Sequence, residues 1–443
     1  MKFTTTLRFL SLLVVALVSL ALVACGGDDD DDDTGGPTAT ATQPAAGATA
    51  TATETVKQYD DGVSDTEIKL GNTNPYSGPA AAYGTIGKAL EAYIKKVNDE
   101  GGVNGRKITF ITRDDQYSPD KTVQAVRELV EQEKVFAVFQ TLGTPPNSAI
   151  WDYMNQQGVP HLFVATGASK WGADPETHPW TIGWQPTYVA ESKIYVEYLR
   201  QEMPGAKVAI LYQNDDYGKD YLDGFKEGLG EDASSTIVKE LNYAVTDASV
   251  NAQVAQLKES GADVFFLVAT PKFAVQALVA AHQIGWKPLI LLNSVSSSIP
   301  SVIQPTMEQA GAEAVSNVIT TFYLKDPGDP QWADDPAVQE FLAFMKEYYP
   351  EGNPFDAFNI YAYSVAQTLI HVLEKCGDNL TRENLMRQAT NIQDLRVETL
   401  LPGILINTSP TDYYPIEAEQ LARFNPTDKK WDLFGEVIDV SGS

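Results

Sequence analysis

Two doubly wound α/β lobes are predicted for this chain by three observations. From Thr66 onward, apolar runs of strand length alternate with amphipathic helical stretches. Most of these runs are near-continuously apolar, as parallel strands covered on both faces by helices must be. The alternation comes in two series that part near Trp184, which asks for two sheets rather than one.

In the first series, residues 67–71 read as a strand, and Tyr83, Ile86, Leu90, Ile94 and Val97 then fall at helical spacing. Residues 107–112 form the next strand. Ser118-Pro119-Asp120 supplies a helix cap with proline at the first helical position, ahead of Val123, Val126 and Val130. A strand at 135–139, a helix at 147–157 and a strand at 161–165 complete this half. The second series has strands at 208–212, 237–243, 264–268 and 289–292, with helices around Tyr221, Val254 and Val275. Beyond it, 356–376 and 381–390 read as helices and 403–407, 417–424 and 431–437 as strands. The last two form a hairpin through Asn425-Pro426-Thr427-Asp428.

The N-terminus is built differently. Lys2 and Arg8 precede an apolar run from Phe9 to Leu22, followed by Leu22-Val23-Ala24-Cys25-Gly26. A positive segment, a short apolar core and small residues at a cleavage site make residues 1–24 a signal peptide, because the run is short of the ~20 residues that span a bilayer. Leu-Val-Ala-Cys resembles the bacterial lipobox, so Cys25 is expected to carry a lipid and anchor the mature chain. Asp28 to Asp33 and a Thr/Ala/Pro/Gly-rich tract follow, too poor in apolar surface to fold, and residues 25–64 are expected to be the lipidated cysteine and a disordered tether.

The net charge is −27, and loss of Lys2 and Arg8 with the signal makes it −29. Such acidity argues against nucleic acid and against adhesion to anionic lipid headgroups. Cys376 is the one cysteine besides Cys25, so neither an internal disulfide nor a cysteine-based zinc site is expected. No metal and no cofactor are predicted. The chain has no G-x-S-x-G, G-x-x-x-x-G-K-[ST], H-E-x-x-H, CxxC or G-x-G-x-x-G. His161, His178, His282 and His371 lie far apart in different elements, and the nucleophile candidates Ser77, Thr144 and Ser294 have no histidine base in adjacent loops. The oxygen-rich run 214–220 lacks the EF-hand spacing and reads as a loop opening a helix. The chain is therefore not expected to be an enzyme.

What stands out is polar and aromatic decoration at the carboxyl ends of the predicted strands, where open α/β sheets bind ligands and helix N-termini aim unpaired N–H groups outward. In the first half these are Tyr76, Ser77 and Tyr83, then Leu142, Gly143 and Thr144, then Ala165, Thr166 and Gly167. Trp184 lies at the junction, and Tyr217, Thr270, Asn293 and Ser294 hold equivalent places in the second half. A small-molecule site formed jointly by the two halves follows.

At these residues the chain resembles the type I periplasmic binding proteins of the branched-chain amino acid ABC transporter substrate-binding family. The resemblance runs from about Thr66 to the C-terminus. It is carried by Ser77-Gly78-Pro79 with Tyr83-Gly84, by Asn98 to Gly105 leading into a strand and Asp114-Asp115, by Asp216-Tyr217-Gly218, by Ser260 to Val264 and by Ala366 to Leu369. It implies lobe one from 65–185 plus 318–397, lobe two from 186–317 plus 398–443, and a three-crossover hinge near 183–186, 316–321 and 395–401. It further implies hinge closure on a ligand, with a ligand carboxylate held by the Thr144 and 165–167 loops while Tyr83 and Tyr217 close over it. The chain would work outside the cytoplasm with permease and ATPase subunits as partners; a ligand-sensing receptor module is the alternative.

One departure matters. An amino acid ligand needs an acidic partner for its ammonium, yet the loops where the family places acid and aromatic read Asn293-Ser294-Val295-Ser296 and Ala269-Thr270-Pro271-Lys272, without a carboxylate. The expected ligand is then an amino acid bound in another way or a related carboxylate or amide, aromatic if Tyr76, Tyr83, Trp184 and Tyr217 all face it.

Overall fold

A computed structural model describes residues 57–441. The signal segment, Cys25 and most of the tether lie outside them. The expectation of a tether to residue 64 is corrected: Gln58–Tyr59 pairs in parallel with Asn379–Leu380, and Tyr59 and Lys57 both bond Asp65. These short polar links attach the segment to the body.

Two sheets organise the chain. The first holds β1 (Glu67–Asn74), β2 (Lys107–Asp114), β3 (Ala137–Phe139), β4 (His161–Val164) and β5 (Thr181–Gly183). They are all parallel, in the order β2-β1-β3-β4-β5. The second holds β6 (Val208–Gln213), β7 (Ile237–Tyr243), β8 (Val264–Val268), β9 (Leu289–Leu292), β10 (Val318–Phe322), β11 (Ala418–Asn425) and β12 (Lys430–Leu433). Its order is β12-β11-β10-β9-β8-β6-β7, with Ile438–Asp439 added beside β11. The hairpin pair β11 and β12 is antiparallel and the strands from β10 to β7 are parallel. The central β8, Val-Phe-Phe-Leu-Val, is buried along its whole length, which is why it lacks polar alternation.

The chain passes between the two layers three times. The first passage follows β5 and ends where Thr187 caps the helix Tyr188–Glu202, accepting from the Ala190 N–H. The second was expected at 316–321. It lies after Phe322, because the whole of β10 belongs to the second sheet between β9 and β11. The third runs beside it: the Lys325 N–H donates to the Thr399 carbonyl and the Leu401 N–H to the Tyr323 carbonyl. Residues 403–407, expected to be a strand, make only an isolated bridge between Leu395 and Ile406. The helix Ala357–Cys376 returns to pack on Gly84–Asp99, burying Cys376, whose thiol burial pushes up to about 12.

Candidate functional site

The carboxyl ends of both sheets face one cleft. Its interior leaves ≈ 100 Å³ to the centre of a water-sized sphere. From the first half come Tyr83, Leu142, Gly143, Thr144 and Ala165, and from the second Tyr217, Thr270 and Ser294. All eight were singled out from sequence.

Local structure explains their positions. Asp215 caps the helix Asp216–Leu229 by accepting from the Tyr217 and Gly218 N–H groups, so the oxygen-rich run is a cap. Tyr217 is thereby fixed at the first turn, and its hydroxyl accepts from the Asn293 amide at 2.8 Å. Thr144 opens the helix Thr144–Gln157 behind Gly143, whose φ is +98°. A side chain there would be strained and its Cβ would lie 2.3 Å from the Tyr117 ring. Thr144 and Thr166 join their hydroxyls at 2.5 Å.

Six residues singled out with them do not line the cavity. Tyr76 folds back over Gly87 and bonds Thr112 at 2.6 Å, and Ser77 donates to Asp114 at 2.6 Å. Thr166 and Gly167 stand one layer behind Thr144 and Tyr188. Asn293 serves Tyr217 and the Ala269 N–H. Trp184 is fully buried, donates to Thr368 at 3.0 Å, and packs edge-on against Tyr323 and Tyr361, which do line the cavity.

The rest of the wall was not read from sequence. Tyr117, Gln185 and Tyr188 contribute, Phe358, Ile360 and Tyr361 come from the returning helix, and Thr321 through Asp326 supply a continuous stretch from the end of β10 into the second crossover. Helical spacing made Phe358 to Tyr361 look like ordinary core, and a crossover has no periodic signature; only the caps Thr187 and Asp356 mark these segments locally.

The wall is chiefly aromatic and aliphatic, with neutral polar groups spaced along it. Burial holds the phenols of Tyr83, Tyr117, Tyr217 and Tyr323 well above their ordinary range, so they are uncharged hydrogen-bonding groups. Among lining residues, Lys325 is bound to Asp335 at 2.6 Å. Asp326 is pushed up to about 6 by burial, against the pull of the Gly328 N–H.

A carboxylate does stand behind the Ser294 loop, though not in it. Glu191, on the helix Tyr188–Glu202, accepts from the Ser294 N–H and hydroxyl, each at 2.7 Å, and from the phenols of Tyr195 and Tyr221 at 2.8 and 2.5 Å. Burial raises its pKa while these donors oppose the rise. The Tyr195 proton is shared between Glu191 and the Leu292 carbonyl, each at 2.8 Å, and Glu191 does not line the cavity.

The cleft is closed. The Tyr83 hydroxyl donates to the Val295 carbonyl at 3.0 Å. At the rim Lys170 pairs with Asp216 at 3.1 Å, and Ser169 donates to Asp220 at 2.6 Å. His161 and His178 play no part: His161 is buried beneath Thr141 and Asn147, pushed down to about 3 by burial, and His178 stacks on Trp151.

A family model described as periplasmic binding protein matches residues 67–419. The chain belongs to this family. As a periplasmic binding protein it is a ligand binder rather than an enzyme, working outside the cytoplasm. Among the described residues no helix is long and apolar enough to cross a membrane.

This periplasmic binding protein is 22% identical over 322 residues to Leu/Ile/Val-binding protein homolog 7 of Brucella abortus (strain 2308), covering 70% of this chain and 78% of that one. Homolog 1 of the same strain is 25% identical over 331 residues, covering 73% and 82%. Among solved structures, a branched chain amino acid ABC transporter from Thermus thermophilus with bound valine superposes with TM-score 0.74 at 16% identity, covering 86% of this chain and 98% of that one. A fatty acid ABC transporter substrate-binding protein from Thermomonospora curvata superposes with TM-score 0.72 at 25% identity, covering 87% and 95%. The two-lobed fold expected from sequence is the fold of these proteins.

Proposed function

We propose that this chain is the solute-binding component of an ABC-type importer, held outside the membrane through a lipid on Cys25 and delivering a small organic molecule to permease and ATPase subunits. The observation that carries this reading is the enclosed cavity walled jointly by Tyr83, Leu142 and Thr144 from one half and Tyr217, Thr270 and Ser294 from the other. Parting and closing the halves would open and shut such a cavity around a solute, and closure is what turns binding into a signal a membrane partner can read.

The ligand is a branched-chain amino acid or a related small carboxylate or amide, enclosed mainly by apolar contact. Support comes from the aromatic and aliphatic wall and from relatives named as Leu/Ile/Val-binding or as fatty acid binding. Hinge rotation occurs about residues 184–187, 323–326 and 395–401. Lobe one takes the chain before the first crossover and between the other two, and lobe two takes the remainder.

The test is to denature protein purified from its native membrane fraction and identify the released molecule by mass spectrometry, then rebind it by calorimetry. One solute with an aliphatic or aromatic body, bound one per chain, is expected. Absence of any co-purifying solute, together with no thermal shift from a panel of amino, aromatic and aliphatic acids and their amides, would remove the reading. Cys25→Ser is expected to move the chain from the membrane fraction to the soluble one.

A further inference from the structure

The lobe-one end of the cavity is built around hydroxyls. Thr144 opens its helix, but Pro145 and Pro146 follow, so two N–H groups that a helix N-terminus would ordinarily offer are missing. The groups that remain include the Thr144 N–H and the hydroxyls of Thr144 and Thr166.

Thr166 Oγ1 accepts from the Tyr188 hydroxyl at 3.3 Å and from the Ala168 N–H at 3.4 Å. Thr166 Oγ1 also shares a proton with Thr144 Oγ1 at 2.5 Å. The Tyr188 hydroxyl thus stands against this threonine pair, with Thr144 and Tyr188 both at the cavity wall.

The phenol cannot easily leave. Its ring stacks on Tyr221 at 4.4 Å and meets Tyr217 edge-on at 5.3 Å. It also lies so close to Gly167 that a Cβ there would be 2.8 Å from it. Tyr188 is 4% exposed, and Thr144 and Thr166 are 1% exposed. Tyr188 begins two residues after Pro186, beside the first crossover, where rotation of the lobes displaces it least.

The opposite end has the complementary character. Ser294 has given its hydroxyl proton to Glu191, so toward the cavity it can only accept. A ligand group bound there must be a donor.

Resting on the solute-binding reading, we propose that Tyr188 is a specificity-determining residue. Its hydroxyl fills the space beside Thr144 and Thr166 that a carboxylate would need, so among the ligand classes named above the cavity turns away the free carboxylates, amino acids included, and takes an apolar amide.

Calorimetry with phenylacetamide, phenylacetate and phenylalanine tests this on the wild-type chain, Tyr188→Phe and Tyr188→Phe with Thr144→Val. Thermal melting shows that each variant is folded. The wild type is expected to bind the amide and neither carboxylate. Removing the hydroxyl leaves the ring stack intact and opens the Thr144–Thr166 pair to the ligand, so Tyr188→Phe is expected to gain at least about tenfold for phenylacetate relative to the amide, equivalent to ~1.4 kcal/mol. Adding Thr144→Val is expected to cancel that gain. An unchanged acid-to-amide ratio in Tyr188→Phe, a gain that survives Thr144→Val, or binding of none of the probes by any of the three proteins overturns the assignment. The wider solute-binding reading is judged apart from this, on the molecule that co-purifies with the wild type.

Discussion

Ser294 directs both of its polar hydrogens at a single side chain, with its N–H on one oxygen of Glu191 and its hydroxyl on the other. A helix of the second half therefore sets the rotamer of a residue at the cavity wall, more than ninety positions away in sequence.

The first prediction follows from that bidentate grip. Glu191→Gln replaces one acceptor oxygen with a donor that faces the Tyr195, Tyr221 and Ser294 hydrogens, leaving buried donors unpaired. Unfolding free energy by urea titration is expected to fall by ~2–4 kcal/mol. A loss below the error of the titration would mean that the four hydrogen bonds do not form together in solution.

The rim contacts bear on ligand release. Asp216 receives Lys170 at 3.1 Å and Ser148 at 3.2 Å across the cleft, and its side chain is 53% exposed. An exposed pair of this kind contributes at most ~1 kcal/mol. Asp216→Ala is expected to speed dissociation of the co-purified solute up to about fivefold in low salt, the difference shrinking as salt screens the pair. Stopped-flow tryptophan fluorescence would register this; a salt-independent change would point to some other cause.

Trp184 separates support from contact. It is buried behind Tyr323 and Tyr361 rather than in the cavity. Trp184→Phe is expected to lower stability by ~1–3 kcal/mol while the ligand dissociation constant changes little. A large change in affinity at unchanged stability would return Trp184 to the cavity wall.

Stability should depend on pH in an unusual direction. Burial holds Asp220 and Asp326 at about 6, above an ordinary 3.8, and Glu417 at about 7, above an ordinary 4.5. Between those limits the native chain keeps protons that the unfolded chain has released, so stability falls as pH rises from about 4 to about 7. Carboxylates held low, such as Asp114 and Asp335, titrate below this window, and buried His161, held at about 3, works in the opposite direction but is one group against three. Melting temperature measured from pH 4.5 to pH 7.5 is expected to decline, and less steeply in Asp220→Asn. A flat or rising curve would contradict the assignment of these groups.

Much of this architecture was legible. Buried parallel strands such as β8 advertise themselves by composition, and strand-end loops rich in Ser, Thr and Asn drew attention to Thr144, Tyr217 and Ser294, which line the cavity. The crossovers were harder, because β10 is a strand whose neighbours, β9 and β11, come from opposite ends of the second half. Helix Tyr188–Glu202 was missed for a related reason: it buries the polar Glu191 and Ser192 along with its apolar residues, which blurs the amphipathic stripe. With that helix went Tyr188 and Glu191. No reading by loop position could find them, since their reach to Thr166 and Ser294 is purely spatial.

The stretch from Thr321 to Asp326 is both cavity wall and passage between the halves, steadied on its outer side by residues 399–401. Whatever fills the cavity presses directly on the joint. A bulkier or slimmer guest would therefore settle the two halves at a different resting angle, and a partner docking across both could distinguish cargoes by geometry without ever touching them.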